Sequence, residues 1–333
     1  MKISRLIVGL AMLAAVCVST QAADKLKVLV VDGQNNHDWK GATPVLKWIL
    51  EDCGRFTVDV STTPPAAPRQ PQAPKGKVTE QQKAKFTTEL AKWKTEKADW
   101  EKTNVAAWQQ WHPKFGDYAV IVLNYTGDKW PDAVKADFLK YVSAGGGVVF
   151  YHAADNAFPE WPEFNEMMGV GGWGGRNEKS GPMLYWQDGK IVRDETPGAG
   201  GTHGPQHEFL VEMRVMDHPI TRGLPTKWLH SKDELYSKLR GPAKNLTVLA
   251  TAFADPAQKG TGHNEPMLMV ISYEKGRIFH TALGHNGSSM VDVGFQATLQ
   301  RGTEWAATGV VTLPAPSADK MPTDKVGTHE MPK

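Results

Sequence analysis

The sequence predicts an α/β fold: a mainly parallel sheet with helices on both faces and an antiparallel appendage. The first observation is the continuous apolar run KLKVLVVDG at 25–33, which is typical of a strand buried on both faces. The second is the amphipathic segment TPVLKWILEDCG that follows, and the third is another strand, FTVDVST. A strand, a helix and a strand in this order form the right-handed crossover of a parallel sheet.

The same pattern resumes after an interruption. Strands are predicted at YAVIVLN and VVFYHAA, with the helix PDAVKADFLKYVSAGGG between them. Pro131 lies in the first turn of that helix and the glycines end it. The alternating EFLVEMRV predicts an antiparallel strand, and further strands and a closing helix are predicted at LTVLATAF, PMLMVISYEKG, GRIFHTAL and GFQATLQRGTEWAAT. The Gly-rich residues 169–204 are expected to form long loops.

The interruption, at about residues 62–112, is predicted to be an insertion. A Pro-rich stretch begins at Pro64 and should be extended, and residues 78–111 have the composition of one long helix. Its apolar residues are expected to pack on the domain: Phe86, Leu90, Trp93, Trp100 and Trp108. If that stripe is exposed instead, the helix could serve as an interaction scaffold. The polar segment 315–333 is expected to be a disordered tail.

The first 22 residues predict a secretory signal peptide. A basic start, a short apolar run and small residues at the end are the three parts of such a signal. A periplasmic or secreted protein is therefore expected, with no membrane span after cleavage. Cys53 is then the only cysteine, so no internal disulfide is expected.

The composition bears on the class of partner. A formal charge of +2 without a basic stripe does not predict nucleic-acid or anionic-membrane binding. The 12 tryptophans are compatible with a surface that binds sugars, but ordinary core and helix packing is the favoured interpretation. A small ligand is the partner class left open.

Polar residues follow the predicted strands where ligands of α/β sheets bind, beyond the carboxyl ends. They are Asn36, His37 and Asp38, then Asn124, then His152 and Asp155, and finally His285. Histidine serves both acid–base catalysis and metal binding, so the pattern leaves both roles open. His203, His207 and Glu234 lie in loop segments. The alternative for each histidine is a structural role, in which backbone groups or solvent complete the hydrogen bonds of the ring.

Other chemistries find little support. No G-x-S-x-G or G-x-C-x-G turn follows a strand, and Cys53 lies at a helix end. A carboxylate pair drawn from Asp155, Asp233 and Glu234 remains open. The segment GVGGWGGR does not open a helix after a strand, so a dinucleotide site is not predicted. Its Arg176 could instead hold a hydroxyl-rich or anionic ligand.

Several motifs together resemble the ThuA-like, or trehalose-utilisation, family. They are KVLVVDGQNNHDWKGATPVL, GGGVVFYHAADNAFPEWPEFNEMMG, DHPITRGLP, KDELYS, GRIFHTALGH and RGTEWAA. The resemblance spans residues 25–312 without the insertion, and it implies a ThuA-like domain at 23–314. It also implies a flavodoxin-like fold similar to class I glutamine amidotransferases. His152 stands where those enzymes have their nucleophilic cysteine, so amidotransferase activity is not expected. Links of the family to disaccharides and 3-keto-sugars imply a carbohydrate substrate.

Two hypotheses follow. In the first, the protein is an enzyme that acts on a carbohydrate or keto-sugar by hydrolysis, elimination or isomerisation. His152, His285 and Glu234 are then catalytic, and His37, His152 and His285 are candidate ligands of a divalent metal such as zinc. The candidate substrate-binding residues are Asn36, Asp38, Asn124, Asp155, Trp161 and Arg176; Trp173 is a second candidate for stacking on a sugar. In the second hypothesis, the protein is a non-catalytic sugar-binding or accessory protein.

Overall fold

The computed structural model describes residues 24–332, so the predicted signal peptide lies outside the described residues. A single sheet forms the centre, with the strand order β2-β1-β3-β4-β11-β10-β9-β7-β8 and the hairpin β5–β6 attached through β10. Its strands are β1 (Leu26–Asp32), β2 (Phe56–Thr62), β3 (Val120–Leu123), β4 (Gly147–Tyr151), β5 (Met183–Gln187), β6 (Lys190–Asp194), β7 (His207–Met213), β8 (Lys227–Asp233), β9 (Leu246–Phe253), β10 (Asn264–Tyr273) and β11 (Gly276–Thr281).

The sheet is parallel in one half and antiparallel in the other. The pairs β1–β2, β1–β3, β3–β4 and β4–β11 are parallel. From β11 onward, β10, β9, β7 and β8 each pair in the antiparallel sense. The predicted α/β fold is therefore confirmed, but its antiparallel part is about half of the sheet rather than an appendage.

Helices cover both faces. They are α1 (Trp39–Asp52), α2 (Glu80–Gln110), α3 (Asp132–Ser143), α4 (Pro162–Met168), α5 (Gly287–Met290) and α6 (Val293–Thr308). Neighbouring residues of β11 point to opposite faces. Phe279 lies against Gly302 of α6, whereas the ring of His280 bonds to the carbonyl of Met168 in α4. Among residues 24–332, none of the helices has the length and apolar character to span a membrane.

The central strands are apolar because both of their sides are covered. All five residues of β4 and all four of β3 are buried. This explains why these strands read as continuous apolar runs in the sequence. All the parallel strands point the same way, so their carboxyl ends meet at one edge.

Strands β5, β6 and β8 and the short helices α4 and α5 were not predicted. The hairpin β5–β6 lies within 169–204, which was expected to be loops, and this expectation is wrong. Only Leu184 is buried in the hairpin, so the segment lacks the apolar run that marks a central strand. Strand β8 carries buried His230, Ser231 and Asp233 in place of apolar side chains. Because several of its buried residues are polar, β8 has no apolar run that would identify it as a strand in the sequence.

The insertion forms an extended Pro-rich segment followed by α2. The indole Nε1 of Trp93 donates to the carbonyl of Pro68, and that of Trp100 donates to the carbonyl of Pro65, both at 2.9 Å. These tryptophans therefore pack on the Pro-rich segment of the insertion itself. Only Asn104 of α2 is buried. The expectation that the stripe packs on the main domain holds for Trp108, which packs against Trp111 of the core, and is corrected for Trp93 and Trp100.

The C-terminal segment packs on the domain, so the expectation of a disordered tail is wrong. The side chain of Met321 is buried. The backbone N–H of Leu229 donates to the carbonyl of Pro322, and that of Val293 donates to the carbonyl of Gly327. These contacts attach the segment to β8 and α6. The polar composition of the segment gave no sign of its one buried methionine or of these separate backbone hydrogen bonds to the domain.

Candidate metal centre

Four side chains from distant segments converge at the carboxyl edge of the parallel strands. His37 follows β1, His152 follows β4, Glu234 follows β8 and His285 follows β11. Each offers one atom, and these four atoms all lie within 4.8 Å of one another. The set contains three imidazole nitrogens and one carboxylate oxygen, which are donor types that transition metals bind.

The spacing of the four atoms fits a common ion. Glu234 Oε2 lies 3.0 Å from His285 Nδ1, 3.6 Å from His37 Nε2 and 3.9 Å from His152 Nε2. Ligands about 2.1 Å from a tetrahedral ion lie about 3.4 Å from one another. The rings also stand edge to face, with His37 at 78° to His152 and 86° to His285. The three rings therefore approach the cluster in different orientations.

His152 is held in the form that binds a metal. Its Nδ1 lies 2.8 Å from the carbonyl oxygen of Ala282, so Nδ1 carries the proton and donates it to that oxygen. Nε2 is then a buried lone pair, without a hydrogen-bond partner among residues 24–332. Burial lowers the pKa of His152 to about 4, against the opposing charge of Asp233. The backbone is also unusual here, with φ at 43°, a value that costs energy in a non-glycine residue.

His37 is oriented by a chain of polar side chains. Its Nδ1 lies 3.2 Å from Asn35 Oδ1, which leaves Nε2 toward the cluster. Asn35 donates to Asn124, Asn124 donates to Thr43 and Thr43 donates to Asp32, at 3.0, 3.1 and 2.7 Å. Partners of this kind fix the ring angle and tautomer of a metal-binding histidine.

Asp233 anchors the other two ligands. Its buried carboxylate accepts the backbone N–H groups of Glu234 and His285, at 2.8 and 3.0 Å. It also accepts the N–H of Gly284 at 2.7 Å. One carboxylate therefore ties the end of β8 to the loop after β11. Asp233 had been a candidate for carboxylate-pair catalysis, but these bonds occupy it structurally.

The charge of Asp233 is balanced in the interior by His230. His230 Nε2 lies 2.8 Å from Asp233, and its Nδ1 lies 3.1 Å from Asp292. Burial opposes the charged ring, but the two carboxylates outweigh it and raise the pKa of His230 to about 9. His230 is therefore an imidazolium between two carboxylates at neutral pH.

Glu234 and His285 form an ion pair within the cluster. Burial opposes the charge of Glu234, but the adjacent rings of His285 and His37 lower the pKa of the carboxyl below its usual range. Burial likewise opposes a charged His285, and the nearby carboxylate of Glu234 raises the pKa of this ring. Glu234 is thus ionised and ready to balance a cation.

A cavity of about 530 Å³ opens beside the cluster. The aromatic rings of Trp173 and Tyr236 form part of its wall. The other lining residues are mostly polar: Asn36, His37, Thr126, Asn156, Gly174, His203, Glu234 and His285. Tyr236 packs on His152, with ring centroids 4.3 Å apart. The cavity has the size of a small-molecule site.

The predicted site residues divide into two groups. The structure brings together His37, His152, His285 and Glu234, and Asn36 lines the cavity. Asp38 instead caps α1 by accepting the N–H of Gly41. Asn124 is buried behind Asn35, and Asp155 is fully buried beside His280. For these three, the expectation of direct contact with a substrate is corrected.

Trp161 and Arg176 also lie outside the cavity lining. Trp161 is only 9% exposed and packs among Trp130, Phe158 and Phe164. The guanidinium of Arg176 is buried and donates to the carbonyl oxygens of Gly172, Asn156 and Ala157 and to the side chain of Asn165. It is therefore engaged with loops rather than with a ligand.

Sequence reasoning missed several contributors. Tyr236 and Thr126 line the cavity, and Asn35 orients His37. Asn35 carried a signal, because it lies two residues before a candidate ligand in DGQNNHDW. Tyr236 carried a weaker one, since it ends the DELY part of a quoted motif.

The fold and the site define an α/β protein with a His₃Glu cluster at the carboxyl edge of its parallel strands. The chain matches, over residues 27–306, the family described as ThuA, trehalose utilisation. A ThuA-like protein from Parabacteroides merdae ATCC 43184 has a similar crystal structure, with 41% identity, a TM-score of 0.76 and coverage of 92% of this chain and 98% of that one. This chain belongs to the ThuA family.

A more distant structure agrees in fold alone. A ThuA-like protein from Bacteroides uniformis ATCC 8492 has 18% identity and a TM-score of 0.51, with coverage of 86% of this chain and 92% of that one. A comparison with curated proteins gave no match.

Proposed function

We propose that this protein is a metal-dependent enzyme that acts on a carbohydrate or keto-sugar. The observation that carries the proposal is the convergence of His37, His152, Glu234 and His285 within 4.8 Å beside a cavity. Membership of a family described by trehalose utilisation supports a sugar as the substrate. The orienting bonds of His37 and His152 support ligand roles over the acid–base roles that the sequence left open.

The donor set also indicates which ion fits. Imidazole suits zinc, iron, nickel and copper, and a carboxylate broadens the set to manganese. Zinc with four protein ligands is typical of closed structural sites, whereas an ion with a larger coordination shell keeps positions free for a substrate. Because the cluster borders the cavity, such positions would face it. A bound ion would supply a Lewis acid that polarises a carbonyl or hydroxyl oxygen of the sugar.

The chain itself offers a group for proton transfer. His203 lies outside the four-residue cluster, with Nε2 3.7 Å from Glu234 Oε2. Its Nδ1 donates to the carbonyl of Gly204 at 2.8 Å, so Nε2 is a lone pair at the cavity. On a keto-sugar, Nε2 would take the proton beside the carbonyl; the electron pair of that C–H bond would form a C=C bond, and the C=O π pair would move onto the oxygen to give an enolate. Hydrolysis, elimination and isomerisation can all begin with this step.

We also propose a fold like that of class I glutamine amidotransferases and export of the protein from the cytoplasm. A fold like that of class I glutamine amidotransferases is supported by the strained turn at His152, directly after β4, where those enzymes have their nucleophile. Export to the periplasm or beyond is supported by residues 1–22 of the sequence. Fractionation of the cells that make the protein would test export.

The experiment is a metal titration coupled to turnover. The mature protein is stripped with a chelator and titrated with Zn²⁺, Mn²⁺ and Ni²⁺ by calorimetry, and a 3-keto-glucoside is then offered to the loaded and stripped forms. We expect one ion per chain, loss of binding in His152→Ala and turnover by the loaded form only. His207→Ala is the matched control, because His207 bonds to Pro205 and does not line the cavity.

Two outcomes would contradict the proposal. Failure of all three ions to bind would remove the metal centre. One bound ion without turnover of the 3-keto-glucoside would favour the alternative of a sugar-binding protein, which a closed shell of four protein ligands also favours.

A further inference from the structure

The cavity beside the cluster has an aromatic wall that leads away from the metal ligands. Tyr236 packs on His152, and Trp173 packs on Tyr236 with ring centroids 4.7 Å apart. His203 completes the wall, 5.9 Å from each of these two rings. Tyr236 is buried, whereas Trp173 is half-buried and has ring surface at the cavity. Trp173 is therefore the large apolar surface that a ligand would meet.

Trp173 is held in place by its backbone. Its φ is 47°, a left-handed value that non-glycine residues rarely adopt. Its N–H donates to the carbonyl of Gly200 at 3.0 Å, and its own carbonyl accepts from Arg176 at 2.9 Å. A Cβ on Gly201 would lie 2.6 Å from the backbone nitrogen of Trp173, so only glycine allows this close packing. The backbone of Trp173 is thus fixed in place, and the ring packs on Tyr236.

The side chain of Arg176 also holds the loop that carries Trp173. Its guanidinium donates to the carbonyl of Gly172 at 2.9 Å and to those of Asn156 and Ala157. The loop that carries Trp173 is therefore fastened to the segment after β4, which carries His152. Such a strained and over-determined position is characteristic of functional sites.

The rest of the lining suits hydroxyl groups. Asn36, Thr126 and Asn156 present amides and a hydroxyl, which can both donate and accept. Oδ1 of Asn156 is buried and has no hydrogen-bond partner among residues 24–332. A buried oxygen of this kind calls for a donor from a ligand or from water.

The lining also lacks the groups that recognise anionic sugars. None of the lining residues, all within the described part of the chain, is a lysine or an arginine. The nearby Arg176 is occupied by the oxygens of its own loops. Phosphate and carboxylate groups are usually bound by such cations, so the protein side chains here match an uncharged ligand.

We infer that this cavity binds one uncharged pyranose ring, stacked on Trp173, with its hydroxyl groups at Asn36, Thr126 and Asn156. The inference rests on the proposed function, because it places the sugar within reach of the cluster. The C–H face of a pyranose is apolar and packs on an indole by dispersion and by removal of apolar surface from water.

The test measures sugar binding without turnover. Calorimetry, supported by saturation-transfer NMR, compares methyl α-glucoside and trehalose with glucuronate and glucose 6-phosphate, in loaded and chelator-treated protein. We expect the neutral sugars to bind to chelator-treated protein at least tenfold more tightly than the anionic sugars. In Trp173→Ala we expect at least a tenfold loss of affinity, and in Trp173→Phe a loss of less than about threefold. Trp186→Ala is the matched control, because Trp186 is a half-buried tryptophan of β5 that does not line this cavity.

Each failure has a separate meaning. Equal binding of neutral sugars by Trp173→Ala and the wild type would overturn the stacking site, as would anionic sugars that bind stripped protein equally well. Absence of sugar binding in all forms would also overturn it, while a bound ion in the titration would leave the metal centre standing. Conversely, tryptophan-dependent sugar binding without any metal uptake would remove the proposed metal chemistry and leave this site intact.

Discussion

The Nδ1 of His152 and the carbonyl oxygen of Ala282 lie 2.8 Å apart, and this bond joins the ends of the adjacent strands β4 and β11. It orients Nε2 of His152 toward the cluster, and the same strand β11 leads to His285, another member of the cluster. The geometry of two ligands therefore depends on the register of one strand pair. The site is built into the sheet rather than assembled from mobile loops.

Asn35 should tune metal affinity although it is not a ligand. Its Oδ1 holds Nδ1 of His37, so Asn35→Ala frees the ring to rotate. Loss of such an orienting partner typically costs 10- to 100-fold in metal affinity, and we expect a decrease of about that size. Calorimetric titration of stripped protein measures it. Asn35→Asp keeps an acceptor for His37 and should retain most of the affinity, whereas equal losses in both variants would contradict an orienting role.

The sequence predicted the features that depend on the hydrophobic pattern and on the direction of the chain: the buried parallel strands and the edge at which they end. The runs that became β1, β3 and β4 are buried on both faces, and the parallel order places their carboxyl ends together, so His37 and His152 could be expected at one edge. Glu234 and His285 were also predicted as site residues, but the sequence does not give the distance between the segments that carry them. Only the folded sheet brings them within 4.8 Å.

The failures have physical causes as well. Arg176 and Trp161 looked available because arginine often binds ligands and tryptophan often stacks on sugars. Loop carbonyls and aromatic neighbours occupy them instead, and such contacts depend on the tertiary path of the chain. For Asp233, nothing in the surrounding sequence distinguishes a carboxylate that accepts backbone N–H groups from a catalytic carboxylate.

Asp233→Asn should destabilise the fold strongly. Asp233 accepts three backbone N–H groups and pairs with His230, all in the buried interior. Loss of one partner from a buried charge pair costs about 3–5 kcal/mol, and we expect a decrease of that order in the free energy of unfolding. Urea denaturation measures it. The matched control is Asp137→Asn, which breaks the exposed pair with His112 and should cost at most about 1 kcal/mol. Similar costs for both variants would show that Asp233 is no anchor.

His230 should make stability depend on pH. Its pKa is raised from 6.5 to about 9 in the folded protein, because Asp292 and Asp233 outweigh the effect of burial. A raised pKa contributes stability that is fully present below pH 6.5 and is lost as the pH rises through about 9. The contribution is of the order of 3 kcal/mol. Urea denaturation of the wild type and His230→Asn should therefore give a difference that shrinks from pH 6 to pH 9. A constant difference across this range would contradict the charged state.

The C-terminal segment should contribute to stability through Met321. Its side chain is 2% exposed, whereas that of Met331, in the same segment, is 44% exposed. Replacing a buried methionine by alanine removes apolar contacts and leaves a cavity, at a cost of about 2–5 kcal/mol. We expect Met321→Ala to lower the free energy of unfolding by an amount in that range and Met331→Ala to change it by less than about 0.5 kcal/mol. Urea denaturation of the two variants checks this, because a truly disordered tail would make both substitutions silent. A loss in Met321→Ala alone would place the segment within the cooperative unit that includes β8 and α6.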